Sequence, residues 1–252
     1  MKILESLFDH YIINARIRPA LFVAFPIVAL ILVWIPESKG WGVTAVTIFA
    51  TFGFFAFLSS AISNQGNKLQ DKLYQKWGGE PTTSFLRHRD KTIDQHTKKR
   101  IHIWLQKRIT GLKMASPDEE EKNPESADEM YRSAVHYLRE KTRDKDKYKM
   151  VYSDLVAYGF ARNSLVLKPI GFTISMACLI SNITLIMRHY ERLDGLIYRL
   201  KEQSIPFFFH LSAFAVSLVF LYVFGLLINS AFVKLRAERY AKSLLAVCDR
   251  DD

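Results

Sequence analysis

Four long apolar runs, none containing Asp, Glu, Lys or Arg, constrain this chain more than any other feature. They cover residues 19–36, 41–63, 169–187 and 205–228. A helix needs about 20 apolar residues to cross a hydrocarbon core about 30 Å thick, and each run approaches that length. Buried helices of a soluble core are the alternative, but four such runs in 252 residues favour a membrane protein. The sequence therefore predicts an all-α polytopic membrane protein with four transmembrane helices, arranged as two hairpins.

The apolar runs divide the chain into four predicted parts. Residues 1–63 form an N-terminal segment and the first transmembrane hairpin, 64–163 a basic cytosolic insert, 164–230 the second hairpin, and 231–252 a cytosolic C-terminal tail. Fifteen Lys and Arg residues flank the runs on one side and five on the other. Because basic flanks stay preferentially in the cytoplasm, both termini and residues 64–163 are predicted to be cytoplasmic.

The insert has the pattern of a small helical domain. Helical spacing of apolar residues predicts helices over 95–111, 126–143 and 147–167, and no stretch shows the alternation of a strand. Residues 82–89 are predicted as a short helix opened by Pro81, and 116–124 as an acidic loop. Ser126 is the predicted N-cap of the helix that follows this loop, with Glu129 three residues on.

The excess positive charge, +10 over the whole chain, is concentrated in the insert. Residues 68–113 carry twelve basic side chains and four acidic ones. Such a field attracts polyanions, because Lys and Arg that neutralise phosphates supply the sequence-independent part of nucleic-acid binding. Anionic lipid headgroups are the alternative, and they suit Lys68, Lys72 and Lys76, which directly follow a predicted span. The predicted partners are therefore membrane lipids and a nucleotide or short oligonucleotide.

The most distinctive string in this stretch is KWGGEPTTSFLRHRDK, residues 76–91. Gly78 and Gly79 permit an irregular turn, hydroxyls near a helix start suit an anion, and Arg87 can bind a phosphate through two N–H groups. Trp77 can stack on a base; a capped helix whose tryptophan packs in a core is the alternative. The G-x-x-x-x-G-K-[ST] spacing of a P-loop is absent.

A second distinctive string, YGFARN, covers residues 158–163 just before the third run. Its arginine can contact the same ligand or anchor the chain at the membrane interface. The predicted ligand-binding residues from both strings and from the basic helix between them are Lys76, Trp77, Thr82, Thr83, Arg87, Arg89, Lys91, Lys98, Lys99, Arg100 and Arg162.

Catalytic motifs are absent from the sequence. It contains no H-E-x-x-H, G-x-S-x-G or C-x-x-C string. His88, His96 and His102 lie close together in the chain, but no cysteine or clear acidic partner completes a metal set. We therefore expect no enzymatic activity, no catalytic residue, no metal site and no cofactor.

The apolar runs carry hydroxyls and amides instead of charges, and His210 is their one ionisable side chain. This composition argues against secondary active transport, which usually needs acidic or basic groups within the spans. A polar stripe in the second run either joins helices or lines a pore. Four helices enclose a hydrated path with difficulty, so a pore requires a homo-oligomer. The predicted pore-lining residues are Thr44, Thr47, Thr51, Ser59, Ser60 and Ser63.

The strings WGGEPTTSFLRHRD, YGFARN and LKPIG resemble those of small four-span bacterial membrane proteins. The layout of spans and basic insert is also similar to membrane effectors of bacterial anti-phage defence, such as the effector channel of the Hailong type. In such effectors a cytosolic domain binds a nucleotide or oligonucleotide made by a partner nucleotidyltransferase, and the spans form a pore. The resemblance implies a bacterial inner (plasma) membrane location and a role in defence.

The sequence favours two functions over a third, weaker option, which is a membrane-bound enzyme acting on lipid or nucleotide. The first is a homo-oligomeric ion channel or pore-forming effector, gated by an anionic ligand, a nucleotide or short oligonucleotide including DNA, on the basic insert. The second is a non-conducting membrane scaffold or sensor that recruits a protein partner through the insert, with the acidic stretch 118–121 as the contact.

Overall fold

The computed structural model describes residues 10–34, 62, 65–189 and 204–250. Within these ranges the chain is helical and contains no strand, which confirms the predicted all-α class. The chain forms two compact units. We name them the apolar unit, Met1–Asn67 with Phe160–Asn229, and the polar unit, Lys68–Gly159 with Ser230–Asp252.

The described helices are numbered in chain order. They are α1 (Arg18–Trp34), α2 (residues 65–77), α3 (Pro81–Ser84), α4 (Gln95–Arg108), α5 (Pro117–Lys122), α6 (Pro124–Lys141), α7 (Lys149–His189), α8 (Ser204–Tyr222) and α9 (Ser230–Leu245). A π-helical turn, Ile12–Ile17, precedes α1, and another, Val223–Leu227, follows α8. A 3₁₀ turn, Ala246–Asp249, follows α9.

Three helical stretches in the described residues are long and apolar enough to cross a membrane: Ile12–Trp34, Lys149–Arg188 and Phe208–Leu227. They contain the third predicted span and overlap most of the first and the fourth. The second predicted span, 41–63, lies outside the described residues apart from Ile62, and so do its proposed pore-lining residues. Three membrane-compatible helices are therefore established, and the arrangement as four spans stays a prediction.

Contacts at both ends of α1 define how the helices of the apolar unit run. Near the start of α1, the amide Nδ2 of Asn163 donates to the carbonyl of Ala15 at 2.6 Å. At its end, the indole Nε1 of Trp34 donates to Oδ1 of Asn182 at 2.9 Å. The ring of Trp34 also stacks on His210, with ring centroids 4.0 Å apart. Hence α1 and α7 run in the same direction and α8 runs against both.

The core of the apolar unit is built from close helix approaches. Ala20, Val23, Ile62, Leu167, Phe224 and Ile228 form one buried cluster. Gly171 permits the closest approach, because a Cβ atom there would lie 2.5 Å from the Phe224 ring. The ammonium of Lys168 donates to the carbonyls of Gly225, at 3.1 Å, and Ile228, at 2.8 Å, so it satisfies acceptors at the π-helical turn after α8.

Buried polar side chains within the described spans serve helix packing. The amide Nδ2 of Asn182 donates to the carbonyl of Cys178 and, at 3.3 Å, to the hydroxyl of Ser217 on α8. Ser175 and Ser217 also donate to backbone carbonyls four residues back. The bond between Asn182 and Ser217 therefore joins α7 to α8, whereas Ser175 bonds only within its own helix.

Side chains cap the N-terminal ends of α4, α5 and α6 in the polar unit, at residues that differ from the predicted cap. Asp94 accepts from the amide of Thr97 and caps α4. Ser116 and Glu119 form a capping box, so the predicted acidic loop contains helix α5 instead. Asn123 accepts from the amide of Ser126 and caps α6, which therefore begins before the predicted N-cap Ser126 because Pro124 suits the first helical turn.

Helix ends also differ from prediction in two places. The predicted helix 82–89 is only the single turn α3, after which the chain turns repeatedly up to residue 94. The helix predicted over 147–167 leads into the third predicted span, as expected, but it begins at Lys149. It continues as α7 for 41 residues, through Pro169.

The C-terminal stretch belongs to the same compact unit as the insert. Helix α9 packs against α3 and α6, and Tyr240 stacks parallel to Tyr158 with ring centroids 6.4 Å apart. Asp249 pairs with Arg100 of α4 at 3.1 Å. Residues treated as a separate tail in the sequence thus complete the polar unit.

Candidate functional site

The turns between α3 and α4 are organised around one buried carboxylate. Glu120 is 4% exposed. It accepts the Tyr131 hydroxyl and the backbone N–H of His88, each at 2.7 Å, and the backbone N–H of Arg89 at 3.4 Å. Burial alone would raise the pKa of Glu120, but these hydrogen bonds outweigh it and hold the pKa below its usual value. An ionised Glu120 therefore fixes residues 88–89 onto α5 and α6.

Two side chains of α4 hold the same turns from the other side. The buried ammonium of Lys98 donates to the carbonyls of Arg87 and Asp90; burial lowers the pKa of Lys98, while nearby Asp90 and Glu120 oppose that shift. His102 Nε2 donates to the carbonyl of Leu86 at 2.8 Å, since a carbonyl only accepts. Burial lowers the pKa of His102 to about 4, so its ring is neutral at pH 7.

Beside these turns lies a cleft of about 550 Å³, which we name the basic cleft. Its volume falls in the range of small-molecule sites. Two lysines, two histidines and two glutamine amides line it together with apolar groups, and none of its lining residues is acidic. These residues are His88, Gln95, Lys98, Lys99, His102, Ile103, Gln106, Met114, Ala115, Ser116 and Pro117. The arrangement suits an anion that also carries an apolar or ring portion.

A second cleft of the polar unit, about 450 Å³, has the opposite character, and we name it the acidic pocket. Four carboxylates and two guanidinium groups line it. The lining residues are Tyr74, Gly79, Glu80, Thr83, Arg87, Glu125, Asp128, Glu129 and Arg132.

Arg87, one of the two arginines of the acidic pocket, forms its hydrogen bonds within the protein. Arg87 donates Nε and Nη2 to the two carboxylate oxygens of Asp128, at 2.8 and 2.7 Å, and Nη1 to the carbonyl of Gly78 at 2.7 Å. Gly79 has φ +137°, and a Cβ atom there would lie 2.7 Å from Nη2 of Arg87. The two glycines therefore permit the close approach of the guanidinium, which binds its own chain.

A buried polar cluster joins the two distinctive strings of the sequence. Arg139 donates to the Glu80 carboxylate and, at 3.3 Å, to the hydroxyl of Thr82. The Tyr74 hydroxyl donates to Glu80 at 3.3 Å and lies 3.2 Å from the hydroxyl of Tyr158. Burial, then the neighbouring Tyr158 and Glu80, raise the pKa of Tyr74, which stays a neutral phenol. Burial opposes ionisation of Arg139, but Glu80 outweighs it and the pKa of Arg139 is raised.

The structure places the predicted ligand-binding residues at several separate locations. Lys98 and Lys99 line the basic cleft, whereas Thr83 and Arg87 line the acidic pocket. Thr82 is buried against Arg139.

The other predicted ligand-binding residues lie outside both clefts. Arg89 is exposed with its Nε 3.8 Å from Glu120, and Arg100 is paired with Asp249. Trp77 lies beside Tyr74, with ring centroids 6.0 Å apart. Lys76 and Lys91 are exposed, and Arg162 is buried in the apolar unit.

Sequence reasoning missed most of the basic cleft, although a signal was present. Gln95, Lys98, Lys99, His102, Ile103 and Gln106 recur at the spacing of a single helical face on α4. From the sequence alone this face is interpreted as exposed to solvent, because the sequence does not show which segment packs beside it. Residues 114–117, which close the cleft, span an irregular stretch and the start of α5.

The chain matches no protein family model, no curated protein and no solved structure. Among the described residues, no group of three or more His, Cys, Asp or Glu side chains is placed to hold a metal ion.

Proposed function

We propose that this protein is a homo-oligomeric membrane channel or pore-forming effector whose cytosolic polar unit binds an anionic ligand, a nucleotide or short oligonucleotide. The observation that carries the proposal is the basic cleft, whose lining holds Lys98 and Lys99 and no carboxylate. In such a cleft a phosphate gains the attraction of the exposed Lys99, and no carboxylate of the lining repels it.

The remaining lining suits the other parts of a nucleotide. The amides of Gln95 and Gln106 donate and accept hydrogen bonds. Ile103 and Met114 offer apolar surface, and a methionine sulfur contacts aromatic rings favourably. Lys99 is exposed and has no ion-pair partner in the part of the chain that the structure describes, so its ammonium is available to a phosphate.

Helix α7 supplies a physical route from ligand to membrane. Its residues 149–159 belong to the polar unit and 160–189 to the apolar unit, and the helix has no break between them. A change in the packing of its first turns therefore acts on the same rigid element that forms a span.

The four-span topology is supported by two features of the described residues. Stretches 68–159 and 230–252 form one unit, which requires both to lie on the same side of a membrane. The chain leaves α1 at Trp34 and packs again beside Ala20, near the start of α1, at Ile62. This return favours a second span within 41–63. The excess of basic residues on the side of the polar unit favours a cytoplasmic location and an inner-membrane protein.

A pore would be lined by the second span. The buried Ser175, Asn182 and Ser217 bind one another or the backbone, so we assign the conducting path to the Thr and Ser stripe of the second run, at Thr44, Thr47, Thr51, Ser59, Ser60 and Ser63. Several copies would contribute that stripe around a common axis.

The test compares two exposed lysines of α4 that differ in position. Lys99 lines the basic cleft and Lys107 does not. We expect Lys99→Glu to weaken binding of ATP or a short DNA oligonucleotide by about tenfold or more, as expected for reversing a phosphate contact, while Lys107→Glu changes it much less. Filter binding of the detergent-purified protein at fixed low salt measures this.

Conductance in planar bilayers, with and without the bound ligand, tests the second half of the proposal. If Lys99→Glu and Lys107→Glu lowered the ligand affinity equally, the binding would be a general attraction of the basic surface for polyanions and not specific to the basic cleft. Ligand binding without any conductance would favour the non-conducting scaffold or sensor.

A further inference from the structure

The acidic pocket carries two carboxylates that have no ion-pair partner among the described residues, although the guanidinium of Arg132 also lines it. Asp128 is paired with Arg87, and Glu80 with Arg139. Glu125 and Glu129 are exposed, one turn apart on α6, and no described residue pairs with either. Like charges at this spacing repel each other on a helix surface. In a chain with a net charge of +10, this pair is a local exception.

An independent feature of the same pocket is a buried hydroxyl without a partner. Thr83 is 4% exposed, lines the pocket, and its Oγ1 has no hydrogen bond. The adjacent Ser84 Oγ is likewise buried and without a hydrogen bond. Most buried polar groups in proteins are satisfied, and a bound molecule is one explanation for a group that is not. The pocket therefore offers the unpartnered Thr83 hydroxyl together with the exposed carboxylates of Glu125 and Glu129.

This combination matches one kind of ligand group. A primary ammonium has three N–H donors, which suit hydroxyl and carboxylate acceptors together. Tyr74, which also lines the pocket, adds an aromatic ring that attracts cations. The described residues gather no metal-binding set here, so an organic cation fits better than a metal ion.

We propose that the acidic pocket is a second binding site, specific for a primary ammonium group held by Thr83, Glu125 and Glu129. The ammonium comes either from a free polyamine or from a lysine of a second copy of this chain, since both present the same group on a flexible apolar stem. The site is independent of the basic cleft, and its test does not involve a nucleotide.

The probe is cadaverine, titrated calorimetrically into the full chain in detergent, with tetramethylammonium as a cation of equal sign that lacks N–H donors. We expect cadaverine to bind and tetramethylammonium not to bind. Thr83→Val and the double variant Glu125→Gln/Glu129→Gln should each weaken cadaverine by about tenfold or more, as expected when a hydrogen bond to a charged group is lost.

The matched control is Asp118→Asn/Glu121→Gln, which removes the same charge from exposed positions of α5 outside the pocket. We expect it to retain cadaverine binding. Without amine, Thr83→Val should not lower the melting temperature, because it removes a buried hydroxyl that has no protein partner. If the role of Thr83 were purely structural, Thr83→Val would instead lower the melting temperature.

No binding of cadaverine by the wild type, or equal losses in the control and pocket variants, would overturn the proposal. Light scattering separates the two sources of the ammonium. Dissociation of an oligomer by cadaverine and by Glu125→Gln/Glu129→Gln alike would identify a lysine of a second copy. Specific binding with an unchanged mass would identify a free polyamine.

Discussion

Acidification should destabilise the polar unit in a pH range where carboxylates remain ionised, because His102 is buried as a neutral ring. Its pKa lies at about 4 in the folded protein, against 6.5 for an ordinary histidine. Between these values the unfolded chain binds a proton that the folded chain does not. Stability therefore falls as the pH drops through this window, and it is retained above the higher value.

The size of the effect follows from that difference in pKa. From pH 7 to pH 5 the linkage amounts to about 2 kcal/mol of unfolding free energy. The side chain is only 7% exposed, so screening by solvent takes little from this value. Urea unfolding of the detergent-solubilised protein, followed by pulse proteolysis of the polar unit, measures it at the two pH values.

Two histidines of the same helix serve as test and control. His102→Gln keeps an N–H donor for the carbonyl of Leu86 but does not titrate, so we expect it to remove most of the loss between pH 7 and pH 5. His96 is exposed on α4, and His96→Gln should leave the pH dependence as it is in the wild type. An unchanged slope in His102→Gln, or a wild type equally stable at both pH values, would refute the assignment.

Two further predictions concern glycines, each checked by thermal unfolding in detergent. Gly79→Ala should lower the free energy of unfolding by at least about 2 kcal/mol, because its Cβ atom would lie 2.7 Å from the Arg87 guanidinium. Gly78 is the control, since it has φ +79° and open space around it. Gly78→Ala should therefore cost only about 1 kcal/mol of backbone strain. A similar loss in both variants would contradict the steric argument. Gly171→Ala should cost roughly 1–3 kcal/mol by pushing on the Phe224 ring, 2.5 Å away, and Phe224→Leu should recover part of that loss in the double variant. Strict additivity of these two changes would show that they do not interact.

The helical class and the positions of three spans could be predicted from the sequence because they depend on composition over about 20 residues. Boundaries set by one or two side chains could not. The capping box of Ser116 and Glu119 lies in a stretch whose charges read as a loop. Asn123 and Ser126 are both good caps, and α6 begins at Asn123 because Pro124 suits the first helical turn.

The concentration of positive charge in residues 68–113 could be predicted from the sequence, but the position of a binding site within it could not. The sequence shows which basic side chains the segment carries. The partner of each one depends on the residues that pack against it in the folded protein. Arg87 is bound by Asp128, 41 residues further along the chain. Lys98 is turned inward onto two carbonyls. Lys99, its neighbour, faces the cleft and is exposed. Pairings of this kind are tertiary, and no local pattern encodes them.

The division of the polar unit between 68–159 and 230–252 has a consequence for biosynthesis. A ribosome delivers the first stretch well before α9, which packs against α3 and α6. The unit therefore stays incomplete until the helices α7 and α8 have been synthesised between its two parts. A nascent chain that delivers α9 to the opposite side of the membrane leaves α3 and α6 without their partner. The surfaces of α3 and α6 that α9 covers thus stay open until α9 has been synthesised, and folding of the polar unit depends on its arrival.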